Sequence, residues 1–298
     1  ALSAEGEVLG DTAVLDVVIA LRSELAGAGP LEALLRQEKV TDVLVNGPES
    51  VWIDRGCGLE RAAVGFRDES AVRRLAQRLA ASANRRLDEA TPYVDARLPD
   101  GSRLHAVLPP VAPRGTCISL RIPRQSAFAL PDLVAVGAIP QAAAPWLAAL
   151  VESRAAFLVS GGTGSGKTTL LSALLSIAPP SERILIVEDS GELDPDHEHV
   201  VRLEVRPPNV EGSGHVSMRD LVRQALRMRP DRLVVGEVRG AEVVDLLAAL
   251  NTGHEGGCGT VHANSATGVP ARLEALALAA GLGREALHSQ VAAGLDAV

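Results

Sequence analysis

Apolar positions change their spacing twice along this chain, and each change marks a different kind of element. Leu15, Val18, Ile19, Leu21 and Leu25 recur at near-helical spacing, predicting a helix over 11–26 that Gly27-Ala28-Gly29-Pro30 ends. A short second helix is expected from Leu31 to Glu38. VTDVLVNGPESVWIDRG then reads as two strands around the Asn46-Gly47-Pro48 turn. Residues 69–86 return to helical spacing as an Arg-rich amphipathic helix. VDARL and SRLHAVL flank Pro99-Asp100-Gly101 as a second hairpin, and CISLRI (117–122) adds one more strand. The expected plan is N-terminal helices over 1–36 and a smaller α+β domain with an antiparallel sheet over 37–122.

Pro123, Pro131 and Pro140 punctuate 123–140, which reads as a linker. Beyond it, AAFLVS, RILIVED, DRLVVGE and GTVHA are near-continuous apolar runs separated by helical stretches. Such strands belong to a parallel sheet buried on both faces, so 141–298 is expected to be an α/β domain.

Bulk properties narrow the functional classes. At 298 residues with 47% hydrophobic positions, the chain can fill two cores. No apolar run reaches the ~20 residues that span a bilayer, so no transmembrane segment is expected. The sequence opens at Ala1 without a basic-then-apolar start, which reads as a trimmed start lacking a signal peptide. Cys57, Cys117 and Cys258 lie far apart, which suits a reducing cytoplasm better than a disulfide framework or a zinc site. A formal charge of −8 and 2% aromatic residues argue against a direct nucleic-acid partner.

One segment carries specific chemistry. Residues 161–168 read GGTGSGKT and fit G-x-x-x-x-G-K-[ST]. Glycines there permit positive φ and let backbone N–H groups approach phosphate oxygens. Gly162, Thr163, Gly164, Ser165, Gly166, Lys167, Thr168 and Thr169 are therefore the expected ATP-binding residues. Lys167 would supply charge to the β- and γ-phosphates and Thr168 a hydroxyl to Mg²⁺. The following helix, KTTLLSALLSI, points its N-terminal dipole at the same anion. Two other strands end in carboxylates, Glu188 with Asp189 and then Glu237. The carboxyl ends of parallel strands line one crevice, so these acids are expected to face the loop, holding Mg²⁺ or activating water. Asp189 could equally cap the following turn.

EDSGEL, GEVRG and TGHEGGCGTVHANS, in that order after the glycine loop, resemble the acidic, Walker B and histidine boxes of the secretion traffic ATPases of type II and type IV secretion and pilus assembly. The run from Met218 to Ser265 is most similar to CpaF-like ATPases of tight-adherence (Tad) pili. VTDVLVNGPESVWIDRG and VDARLPDGSRLHAVLPP resemble that family's N-terminal domain, so the likeness covers most of the chain. It implies a RecA-like P-loop motor domain after a sensor-like domain, ATP in the cleft between them, and a homo-hexameric ring. It also implies a cytoplasmic motor at the inner face of the cytoplasmic membrane, bound to a polytopic inner-membrane platform protein and powering pilus assembly or secretion. Lys167, Glu188, Glu237 and His262 would be catalytic, with Thr168, Glu188 and Glu237 on Mg²⁺ and His254 as a possible sensor. Arg206, Arg227, Arg229 and Arg239 match family positions at the ring interface or active site. Arg97, Arg103 and Arg121 are candidates to reach phosphate from the first domain. Arg219, one turn from Arg223 on the same helix face, reads as part of a solvated basic stripe. The four-cysteine motif of many type II members is absent, and the family would continue into further strands beyond Val298. Two rival readings stand beside this one: a RecA-like DNA-transfer motor, and a nucleotide-dependent switch or scaffold with negligible turnover.

Overall fold

The computed structural model describes residues 27–37, 39–122, 128–206, 208 and 213–298; the helix expected over 11–26 lies outside them. Two compact units divide at residues 124 and 125.

In the first unit Pro30 opens a 3₁₀ turn, Gly29–Leu31, that runs into the short helix α1 (Glu32–Leu35). Strands β1 (Asp42–Asn46) and β2 (Val51–Asp54) form the expected hairpin, closed where Asn46 N donates to Ser50 O at 2.8 Å. Next come β3 (Leu59–Arg61), α2 (Glu69–Ser82), β4 (Tyr93–Arg97), β5 (Arg103–Val107) and β6 (Cys117–Arg121). Among the described residues the strands make one antiparallel sheet in the order β3-β2-β1-β6-β5-β4. Alternation puts Val43, Val45, Val51, Ile53, Leu104, Ala106, Ile118 and Leu120 on the buried face, in one core with Val72, Leu75, Ala76 and Leu79 of α2. Asp68 caps α2 by accepting from Ala71 N at 2.8 Å. The helix stops four residues short of the expected Arg86, because Asn84 turns left-handed at φ 55°.

The second unit begins with a departure. Helix α3 (Leu130–Ala135) lies inside the stretch expected to be linker, and its Leu130 is buried with Val151 and Phe157. Pro131 falls in the first turn, where it needs no donor, and Asp132 accepts from Ala129 N at 2.9 Å. Pro131 thus starts a helix here. The unit continues through α4 (Ala144–Glu152), β7 (Phe157–Gly161), α5 (Lys167–Leu175), β8 (Ile184–Glu188), β9 (Val200–Glu204), α6 (Met218–Ala225), β10 (Arg232–Val238), α7 (Glu242–Leu250), β11 (Cys258–His262), α8 (Val269–Ala279) and α9 (Arg284–Gly294). Among the described residues the sheet is parallel throughout, in the order β7-β11-β10-β8-β9. The edge strand β9 escapes the periodicity reading because it is only half-buried.

Both faces of this sheet are covered. Leu185, Val187, Leu233, Val235 and Val261 pack on one side with α6, α7 and α8. Ile184, Ile186, Val234 and Cys258 pack on the other with α4 and α5. At the amino edge Arg232, 1% exposed, donates to Glu182 at 2.5 Å and to Val151 O at 2.8 Å. Arg219 stays partly exposed, as expected, but is not free on the surface. Together with Arg223 it grips Asp245 of α7, at 2.5 and 2.7 Å, because α6 and α7 lie side by side.

Candidate functional site

The strand order explains which residues meet. β11 lies between β7 and β10, so the residue ending β11 stands between the loop after β7 and the acid near the end of β10. His262 pairs in register with Gly161. Its Nε2 is 3.2 Å from Glu237 Oε1 and 3.5 Å from Lys167 Nζ. Lys167, 9% exposed, donates to Gly162 O at 2.7 Å. A phosphate-sized anion would draw its ammonium off that carbonyl.

The loop itself is built for close approach. Gly164 and Gly166 take φ of 72° and 88°, conformations that side chains resist, and Gly166 hands the chain directly into α5. Residues 162–166 are exposed, and a Cβ at Gly162, Gly164 or Gly166 would meet nothing within 4 Å. Open backbone at the head of a nine-residue helix is an anion cradle. Thr168 and Thr169 occupy that helix's first turn, half-buried. Among the described residues no group of three or more His, Cys, Asp or Glu side chains could hold a metal alone. A hard cation that keeps its water and shares phosphate oxygens needs only one or two protein oxygens, and Thr168 and Glu237 are the residues here that could offer them.

One nitrogen, His262 Nε2, faces a donor and an acceptor at once. Lys167 can only donate to it, whereas an ionised Glu237 can only accept from it. The imidazole can satisfy one neighbour at a time. Movement of the Lys167 ammonium toward an anion takes the donor away from Nε2, which can then give a hydrogen bond to Glu237 once the ring proton sits on Nε2 and not on Nδ1.

Glu188 is more enclosed than Glu237. It is 4% exposed, and its Oε1 accepts from the amides of Glu192 and Leu193, both at 3.0 Å. Burial pushes its carboxyl up to about 7, against the pull of those two amides. Oε2 is buried without a hydrogen-bond partner among the described residues. In this arrangement Glu188 folds the 189–193 turn.

The remaining candidates are dispersed. Asp189 forms an ion pair with Arg239, tying the turn after β8 to the turn after β10. Glu242, buried in α7, accepts from Arg239 N and Gly240 N, both at 2.7 Å, and tightens that second turn. His254 lies before β11, at the sheet edge opposite His262, with Nδ1 buried and unpartnered. Arg206 follows β9 and donates to Gly214 O at 2.6 Å. Arg227 and Arg229 are exposed after α6. In the first unit Arg97, Arg103 and Arg121 stand in one row across β4, β5 and β6, with Arg121 donating to Asp42 at 3.1 Å. Neither Glu242 nor the Asp189–Arg239 pair was singled out from sequence. GEVRGAE offered a signal, since a glutamate two residues past a glycine turn can reach back to its amides.

Comparison with known proteins adds an independent line. A family model described as "Type II/IV secretion system protein" matches residues 24–298. The chain is 61% identical over 295 residues to a putative conjugal transfer protein of Mycobacterium tuberculosis strain H37Rv, covering 97% of this chain and 84% of that one. It is 35% identical over 260 residues to the type IV secretion system protein PtlH of Bordetella pertussis, covering 79% of this chain and 76% of the relative. Among solved structures, the pilus retraction motor PilT with bound ADP aligns with a TM-score of 0.62 at 22% identity, over 86% of this chain and 72% of that one. The Legionella pneumophila ATPase DotB aligns at 0.58 and 19% identity, over 93% and 74%. At those identities the two structures speak to the fold alone.

Proposed function

This chain belongs to the type II/IV secretion system protein family, and from that premise we propose that it is an ATPase of the RecA-like P-loop class, driving a secretion or pilus machine. The observation that carries the reading is the convergence of Lys167, Glu237 and His262 beside the glycine loop 161–166. The loop amides and Lys167 bind and orient the phosphates. Mg²⁺, when bound through Thr168 and Glu237, supplies charge neutralisation at the phosphate oxygens. Glu237 orients the attacking water and takes up its proton. His262 exchanges one partner for the other as Lys167 moves, so the imidazole registers whether phosphate is present. Arg239, fixed by Asp189 and by Glu242 at its backbone, holds the turn after β10 steady while this happens.

The finer reading is a homo-hexamer at the cytoplasmic face of the inner membrane, working on a polytopic platform protein of a Tad-like pilus or a conjugation-type machine. Among the described residues no helix is long and apolar enough to cross a membrane. Steady-state release of inorganic phosphate from MgATP by the full chain tests the enzymatic reading, and zero turnover at every protein concentration rejects it. The relative's name, a putative conjugal transfer protein, favours a second reading, a motor serving DNA transfer. Turnover stimulated by DNA would support it, whereas capture of a polytopic membrane protein with indifference to DNA would support the first.

A further inference from the structure

β10 does not run evenly beside β11. Val234 pairs with Cys258 and Val235 with Gly259, but Val238 pairs with Val261, so β10 carries one extra residue between Val235 and Val238. The bulge changes which face its acid occupies. Val235 packs on the side of α6, α7 and α8, and so does Val238, three residues on. Strict alternation would put Glu237 on the face Val235 shares. With the extra residue, Glu237 falls instead on the face of Val234, Cys258 and α5, where Lys167 begins its helix and His262 ends its strand. A bulge re-aims a side chain in just this way.

Such a bulge leaves ladder groups to be satisfied by something else. Here the Gly236 carbonyl accepts from Thr260 Oγ1 at 2.6 Å, and Thr260 is 2% exposed. Gly236 has no alternative side chain, because a Cβ there would stand 2.5 Å from Glu188 Cγ. We propose that Thr260 is a positioning residue, whose hydroxyl holds the bulge that carries Glu237 to the phosphate-loop face of the sheet. It touches no substrate and acts through Glu237. The inference rests on the ATPase reading above.

Thr260→Val removes the hydroxyl with little change in shape, and Thr260→Ser keeps the hydroxyl. In the full chain, kcat for MgATP should fall about 10-fold in Thr260→Val, with KM and the Kd for a fluorescent ATP analogue held within about twofold. Thr260→Ser should stay within about twofold of wild type in all three. In a Glu237→Gln background Thr260→Val should slow turnover no further, because both changes strike the same step. If wild type turns over and Glu237→Gln slows it about 100-fold, a Thr260→Val enzyme at the wild-type rate overturns this inference alone. A loss in Thr260→Val that Thr260→Ser shares, or that adds fully to Glu237→Gln, overturns it as well. Absence of turnover in wild type overturns the ATPase reading and this inference with it. Should Thr260→Val not fold, Thr260→Ala is measured against the same outcomes.

Discussion

Lys167 and Glu237 are separable by what each does to phosphate. Lys167 contributes charge to binding, so Lys167→Ala should abolish turnover while the melting temperature without nucleotide barely moves, its side chain meeting Gly162 O and His262 among the described residues. Glu237→Gln keeps shape and hydrogen bonding but loses the charge, so nucleotide should still bind while hydrolysis slows by about 10² or more. Equal loss of binding and turnover in Glu237→Gln would make the residue structural. Glu188 yields a pH signature instead. Its folded-state carboxyl, held near 7 by burial, lies above the ordinary value of 4.5. Between those values the folded chain holds a proton that the unfolded chain has released, so stability is fully present below about 4.5 and falls as pH rises to about 7. Glu188→Gln should flatten that portion of a melting-temperature-against-pH curve. An unchanged slope would mean that Glu188 is not the titrating group.

The elements of the second unit are pinned at both sheet edges, and the pins differ in kind. At the carboxyl edge Asp189, Arg239 and Glu242 tie turns together around the candidate site. At the amino edge Arg232 joins the start of β10 to Glu182 and to the end of α4, all but out of water. Removing one partner of a buried pair strands the other charge. Arg154 stays 3.3 Å from Glu182 when Arg232 is removed, so Arg232→Ala should cost about 3 kcal/mol in chemical unfolding, the low end for a broken buried pair, and Arg232→Met with Glu182→Gln should cost markedly less. Equal losses in the two variants would assign the effect to packing. Asp245 works between helices, receiving Arg219 and Arg223, and joins α6 to α7 at two successive turns.

At the scale of the whole molecule the proposed ring makes a prediction that no single residue makes. A motor whose sites are completed by neighbours turns over faster per chain as it assembles. Specific ATPase rate should rise with protein concentration, and mass photometry with MgATP should record hexamers. A monomer whose rate does not depend on concentration would remove the ring from the proposal. Three separately buried cores, one under the antiparallel sheet and one on each face of the parallel sheet, give each unit its own stability.

Much of this was legible in the sequence because it is local. GGTGSGKT prescribes its own loop, since glycine takes the φ values at Gly164 and Gly166 without the strain a side chain would add. Alternation in VTDVLVN and continuous apolar runs in ILIVE and RLVVGE announce which strands face water on one side and which on neither. Family membership followed from the order of four such segments. What sequence could not supply is everything set by neighbours in space. Strand-end position made Glu188 and Glu237 look alike. Only the packing of Gly236 against Glu188, and the extra residue in β10, buried one and carried the other to Lys167 and His262. Three prolines read as a linker until Leu130 found a core to enter. Arg219 read as solvated until Asp245 arrived from another helix. Propensity and periodicity act within a few residues of chain, whereas burial, register and ion pairing are decided between segments far apart in sequence, so those roles belong to the tertiary structure alone.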